Sequence, residues 1–334
     1  VSRARARSLA AIVALCVVGG VAYLVLAALS PSEVTTDARP SAGSGGAALT
    51  GSQLMVRAVD REDPLLNGRV FVVKDGHPRQ LEGPELACAR VYFAAGRGLC
   101  LSTAESGVSY ETTVFDSSLR PLEDLPLAGL PSRAQISADG RYGATTAFVN
   151  GHAYLSSGGF STATAIVDMR SGGELANLED FEVSKDGERL EAVDFNFWGV
   201  TFARDPNRFY ATLRTGEHYY LVEGDVRSRT VRVLREGVEC PSLSPDGTRI
   251  AYKSRVGDEN LWRLKVLDLE TLAAHPVGER RSIDDQVEWL DDATLIYSDG
   301  LDVYTVAASG EGIPRLVLRN ATSPVPLAGR PGSS

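Results

Sequence analysis

Along most of this chain apolar and polar positions alternate with a period of two, in short runs separated by glycine, proline, aspartate and serine. That is the pattern of half-buried β-strands joined by tight turns. The clearest instance is Glu239–Thr271. Its first run ends at Ser244-Pro245-Asp246-Gly247, where proline presets φ, aspartate bonds the local backbone and glycine relieves the last position, so a hairpin is predicted there. Ile250–Ser254 is the returning strand, Trp262–Leu267 a third and Ala274–Gly278 a fourth. One four-stranded sheet leaves both of its faces uncovered, so it predicts neighbours of its own kind.

Those neighbours are present. The run, turn and return recur at Arg133–Phe148, at Trp198–Leu213 and at Val287–Ser298. Arg97 to Asp139 is 42 residues, Asp205 to Asp246 is 41 and Asp246 to Asp291 is 45, within the period of roughly 40 to 45 expected of a propeller blade. The longer interval, Asp139 to Asp205 at 66 residues, holds two insertions, Asn150–Ser161 and Phe181–Asp194. Second strands are read at Leu54–Val59, Leu99–Thr103, Tyr142–Phe148, Phe209–Leu213, Ile250–Ser254 and Thr294–Ser298, which makes six blades. A seventh blade built on Phe181–Asp194 would lack third and fourth strands. The first blade has no first strand of its own, and Ala321–Leu327 is a spare extended segment after the last. Placing the second in the gap left by the first closes the ring without an open edge. The expected fold is an all-β six-bladed β-propeller.

The N-terminus departs from this pattern. Arg3, Arg5 and Arg7 precede Leu9–Leu29, 21 residues without a charge, just enough at about 1.5 Å per residue to cross a bilayer core of about 30 Å. With the basic flank inside, the rest of the chain is placed outside the cell. An uncleaved single-pass anchor is the preferred reading, a cleaved signal peptide and secretion the alternative, and Cys16 is read as packed within the span. The domain plan is therefore residues 1–30 as flank and transmembrane helix, 31–52 as a flexible linker, 53–328 as the propeller and 329–334 as a tail.

Charge narrows the partners. The chain carries 34 basic and 43 acidic residues, and because the first 30 residues hold three arginines and no acid, the exported part is at −12. Such a surface repels nucleic acid and anionic lipid. Of the remaining cysteines, Cys88 and Cys100 flank one hairpin and are the candidate disulfide in an oxidising compartment. A turn near Gly96 puts residue 104 opposite Cys88, so the bond requires the strand to bend, and the pairing stays open. Cys240 is read as a buried free thiol.

CPSLSPDGTRIAYKS followed by WRLKVLDLET resembles the repeat of TolB-like six-bladed propellers, and NFWGVTFARDPNRFYATL and DDQVEWLDDATLIY are similar to membrane-anchored members from actinobacteria. The resemblance covers about Leu54–Leu327. It implies a role as an envelope scaffold, since TolB is a periplasmic partner of a peptidoglycan-associated lipoprotein.

Candidate chemistry is sparse. No Gly-x-Ser-x-Gly elbow occurs, and His77, His152, His218 and His275 have no metal-ligand spacing and are read as surface loop residues. Asp291-Asp292 occupies a turn. Asp284-Asp285 precedes a first strand, where the central channel lies, and is the calcium candidate. Trp198, Trp262 and Trp289 are read as packing between blades. Phe195, Phe197, His218, Tyr219 and Tyr220 cluster about the insertions and are the candidate surface for a partner or glycan. The functional expectation is a monomeric, non-catalytic, membrane-tethered propeller that binds an envelope protein or cell-wall component. The alternative is a glycan- or peptide-binding sensor, or a hydrolase, acting at the channel mouth.

Overall fold

Six sheets form in a computed structural model that describes residues 39–45, 49, 51–63, 65–79, 85–149, 161–257 and 261–327. The basic flank, the Leu9–Leu29 span, Cys16, residues 150–160 with His152, and the tail lie outside the described residues. Among those described, no helix is long and apolar enough to cross a membrane.

Blade one orders Ala321–Leu327, Gln53–Ala58, Val70–Lys74 and His77–Arg79 from the axis outward, so the last strand of the chain is the innermost strand of the first blade. Blade two is Arg90–Ala94, Arg97–Thr103, Tyr110–Asp116 and Pro121–Leu127, and blade three is Leu130–Ile136, Tyr142–Val149, Ser161–Asp168 and Glu174–Asn177. Blade four begins with Asn196–Phe202, Arg208–Thr215, His218–Asp225 and Thr230–Glu236. Glu239–Leu243, Arg249–Arg255, Trp262–Asp268 and Ala274–Pro276 make blade five, and Glu288–Trp289, Thr294–Ser298, Val303–Ala307 and Arg315–Arg319 blade six. Each interface between neighbouring blades holds its own apolar cluster. The seam between blades one and six is filled by Leu54, Val56 and Phe71 on one side and Ile296, Val303 and Leu318 on the other.

Local chemistry explains the repeat. In the Ser244–Gly247 turn the Gly247 N–H donates to Ser244 O at 2.8 Å, and Asp246 Oδ1 accepts from Ser244 Oγ at 2.5 Å and Thr248 N at 2.9 Å. Gly247 sits at φ +76°, where a side chain is strained. The aspartates closing the third strands, Asp116, Asp168, Asp225 and Asp268, each accept backbone N–H groups of the following turn. These bonds stabilise the charged carboxylate and hold all four below their ordinary range.

Phe181–Asp194 is an insertion, as read, and not a seventh blade: Glu182–Lys185 adds to blade four parallel to Thr230–Glu236, and Glu188–Leu190 follows it at the edge. The linker differs from the sequence expectation, because it is structured in part. Ser41–Ala42 pairs antiparallel with Leu318 and Arg319 as a fifth strand of blade six, and Leu49 is fully buried in the seam between blades six and one. Gly43 makes that approach possible, because a Cβ there would stand 2.6 Å from Leu316 O.

The Cys88–Cys100 bond forms, with Cα atoms 5.2 Å apart. The bend it requires is visible. Ala89 N–H still donates to Leu101 O, but Cys88 N–H leaves that ladder and donates to Gly68 O of blade one at 2.9 Å. Cys240 is a buried free thiol. Trp198 and Trp289 are buried, whereas Trp262 is only partly so. His77, His218 and His275 are exposed but lie on short strands or strand ends rather than in loops.

Candidate functional site

The inner strands converge on the axis and leave a funnel of about 850 Å³. Five of its polar wall residues come one from each of five blades: Tyr92, Gln135, Thr201, Ser242 and Glu288. Blade one supplies Pro326 and Leu327. Nearer the rim the wall turns apolar and aromatic, with Phe93, Phe202 and Leu243 beside the turn at Pro245. None of the described histidines, His77, His218 and His275, lies among the lining residues.

Tyr92 and Glu288 are also walls of a smaller adjoining cavity of about 40 Å³, the neck, where Arg90, Arg133 and Asp285 meet. Asp285 Oδ2 accepts from Arg90 Nη1 at 3.2 Å and from Ser298 Oγ at 2.9 Å, its Oδ1 accepts from Gln286 N at 2.9 Å, and Arg133 Nη2 stands 3.6 Å from Oδ1. Burial alone would raise the Asp285 carboxyl, but the two guanidinium groups outweigh it and hold it at about 2. Glu288 has no such cation. Burial, reinforced by the charge on Asp285 and opposed by a bond with Ser242, pushes it up to about 8, so it carries a proton at neutral pH. Burial and Glu288 together push the Tyr92 phenol well above its ordinary value. The two carboxyl groups of one neck are thus shifted in opposite directions, and only Asp285 is paired with arginine.

This arrangement corrects the calcium reading of Asp284 and Asp285. Calcium takes six to eight oxygen ligands, whereas Asp285 is committed to Arg90 and Arg133 and Asp284 to the buried ammonium of Lys253. No group of three or more metal-ligating side chains occurs among the described residues. Asp291 and Asp292 serve the turn as read: Asp291 Oδ1 accepts from Ala293 N, and Asp292 Oδ1 from Asp246 N of the neighbouring blade.

The aromatic surface is corrected as well. Phe197 and Tyr220 are buried in the cluster between blades three and four, and Phe195 packs against it with its ring 6.4 Å from that of Phe197. Alternation along Asn196–Phe202 turns Phe197 into the wedge between blades. His218 is exposed and bonded to Glu236 at 2.6 Å, with its ring stacked on Tyr220. Tyr219 lies edge-on to Trp198 and under the Arg255 guanidinium at 4.4 Å. The five residues therefore do not share one open face.

The neck was missed in the sequence because its residues are far apart in the chain: Arg90 and Asp285 are 195 positions distant. Channel-facing charges on inner strands are the signal that could have found it. Arg90, Arg133 and Glu288 each lie on the first strand of a blade.

The neck makes stability depend on pH in a definite direction. Glu288 and Glu179, a buried carboxyl that desolvation pushes to about 7 against bonds from Thr164 N and Phe197 N, keep protons that the unfolded chain has lost above about 4.5. Stability therefore falls as pH rises from about 4.5 to about 8, while the contribution of Asp285 is lost only as pH drops below about 3.8 towards 2. The urea midpoint is expected to be higher at pH 5 than at pH 8.5, by the equivalent of about 2 kcal/mol or more. Glu288→Gln should flatten much of that slope. A midpoint independent of pH over this range would show that neither carboxyl is held neutral.

No protein-family model matches the chain, and no curated protein matches it in sequence. Solved structures match it in shape. TolB from Acinetobacter baumannii superposes with a TM-score of 0.60 at 14% identity, over 85% of this chain and 68% of that one. A chain of a nidogen/laminin complex superposes with a TM-score of 0.54 at 10% identity, over 83% of this chain and 98% of that one. A puromycin-hydrolysing peptidase of Mycobacterium tuberculosis superposes with a TM-score of 0.50 at 16% identity, over 84% of this chain and 46% of that one, so the match spans less than half of the peptidase. At these identities the likeness is one of fold, a six-bladed β-propeller structurally similar to TolB.

Proposed function

We propose that the protein is a non-catalytic binding module of the cell envelope, held outside the membrane by Leu9–Leu29, whose funnel engages a segment of an envelope protein or cell-wall component. The observation that carries this reading is the funnel itself. It is an open recess of about 850 Å³ with a polar ring contributed by five blades and an aromatic and aliphatic rim, the mix of broad apolar contact and a few fixed polar groups that ligand sites share. A Cys88–Cys100 disulfide suits an oxidising compartment. Among the described residues no histidine lines the recess beside its serines and threonine, and Thr201 Oγ1 accepts from Leu243 N at 3.1 Å. The TolB-like scaffold role is the finer form of the same proposal.

Two measurements test it together. A reporter that works only outside the cytoplasm is expected to be active when fused after Ser334. A photo-crosslinking residue at Arg204, on the funnel wall, should capture one envelope component that the same probe at the exposed Val108 does not. Reporter activity inside the cell would reject the localisation, and equal capture at both positions would reject the funnel as the binding surface.

A further inference from the structure

In the neck two guanidinium groups share one carboxylate. The lining cations are Arg90 and Arg133 and the lining acids Asp285 and Glu288. Among the described residues no ion pair joins Glu288 to either of them, and Asp285 alone is paired with both guanidinium groups. Behind them Arg57, bonded through Nε to Cys88 O and through Nη1 to Thr322 Oγ1, feels both Arg90 and Asp285, and its own pKa is lowered by burial and by Arg90. The nearby Asp284 is taken by Lys253. Two guanidinium groups on one carboxylate leave donors over, because buried charges are ordinarily matched one for one.

Arg133 shows where the balance is missing. Its side chain is 13% exposed. Nη1 donates to Ser132 O at 2.8 Å, and Nη2 lies at 3.6 Å from Asp285, too far for a hydrogen bond. Its Nε, shielded from solvent, has no hydrogen-bond partner. The thiol of Cys240 is the other polar group beside it, a weak acceptor. A guanidinium with donors to spare matches a carboxylate, which accepts from it. The cavity of about 40 Å³ admits a group of that size and little more.

We propose that the neck is an anion site that takes the carboxylate of a ligand entering through the funnel, gripped by Arg133 and Arg90. This deepens the funnel reading and rests on it only for the route of entry. The carboxylate could belong to a peptide chain end or to a small free acid, and the two sources separate by experiment.

Isothermal titration of the full chain with acetate, with triglycine bearing a free carboxylate, and with triglycine amide tests the site. Acetate and free triglycine are expected to bind and the amide not to. Arg133→Gln should weaken both by at least about tenfold, the usual worth of a hydrogen bond to a charged group, and Arg133→Lys should restore part of the loss. The same change at Arg229, an exposed residue bonded to Leu175 O, should leave binding unaltered. Circular dichroism and the urea midpoint verify that each variant is folded, and the Lys variant keeps the test valid if the Gln variant is not. Free triglycine tighter than acetate assigns the site to a chain end, and equal affinity assigns it to a small free acid. No binding of either anion, or binding that Arg133→Gln leaves intact, overturns the proposal. Acetate does not reach the rim, so anion binding without selective capture at Arg204 rejects the funnel reading alone, and capture without anion binding rejects the neck alone.

Discussion

Removing residues 321–334 is expected to leave a chain that does not reach a closed fold. Ala321–Leu327 is the innermost strand of blade one, paired with Gln53–Ala58 over Gln53 to Leu327, Leu54 to Pro326, Met55 to Val325, Arg57 to Thr322 and Ala58 to Ala321. It is one of two covalent overlaps between the first and last blades, the Ser41–Ala42 strand on blade six being the other. Ala321 and Val325 are buried in clusters on opposite sides of that blade, so the deletion opens two apolar seams and bares the ladder edge of Gln53–Ala58. Pro324 and Pro326 do not weaken the strand, because an innermost strand pairs on one side only and proline is tolerated where its nitrogen faces away from that partner. The truncated protein should aggregate or be cut rapidly by protease without a cooperative urea transition. A truncated chain that unfolds at the full-length midpoint would show that the ring does not need this clasp. Deleting residues 32–49 should cost less but not nothing. It removes the Ser41–Ala42 strand and the buried Leu49, a side chain whose burial is worth about 1.5–3 kcal/mol.

What could be read from the chain was the part written in local chemistry. Ser244-Pro245-Asp246-Gly247 announces its turn because every bond that shapes it lies within a few residues, and a turn repeated at blade spacing gives the number of blades. The clasp was legible by subtraction, since blade one lacked a strand and the C-terminus had one to spare. The Ser41–Ala42 strand was hidden for the opposite reason. It binds by backbone alone, and Gly43 and Gly45, whose N–H groups donate to Val317 O and Leu316 O, look like linker composition until the outer edge of blade six is beside them. The Cys88–Cys100 pairing turned on a bend set by Gly68 of another blade.

The candidate site was least legible because ring closure creates it. Asp284-Asp285 looks like a cation site when only its neighbours in sequence are counted, and its neighbours in space reverse that reading. Likewise Phe197 and Tyr220 look available beside an insertion, yet strand alternation places them in the wedge between blades. The inner strands carry short stretches whose polar members are individually unremarkable. Their meaning comes from six such strands meeting at one axis, where a single unanswered charge is far more consequential than on the surface.

Asp285→Asn tests that last point with a change of one charge and almost no volume. The substitution leaves Arg90 and Arg133 in the neck without their common carboxylate. Arg90 is 27% exposed and can draw on water, but Arg133, at 13%, has little access to it. Breaking a buried ion pair by removing one partner typically costs about 3–5 kcal/mol, because the remaining charge is left unanswered, whereas removing both partners together is often close to neutral. Asp285→Asn is therefore expected to lower stability by about 3 kcal/mol at pH 6, read from the urea midpoint at constant slope. Combining Asp285→Leu with Arg133→Leu should cost less than Asp285→Asn alone despite changing two residues. At pH 2.5 the difference between wild type and Asp285→Asn should shrink, since the wild-type carboxyl approaches its own titration near 2. A single variant within about 1 kcal/mol of wild type at pH 6, or a double variant less stable than the single, would mean that water rather than Asp285 answers the arginines, and that the neck is too wet to act as a charged site.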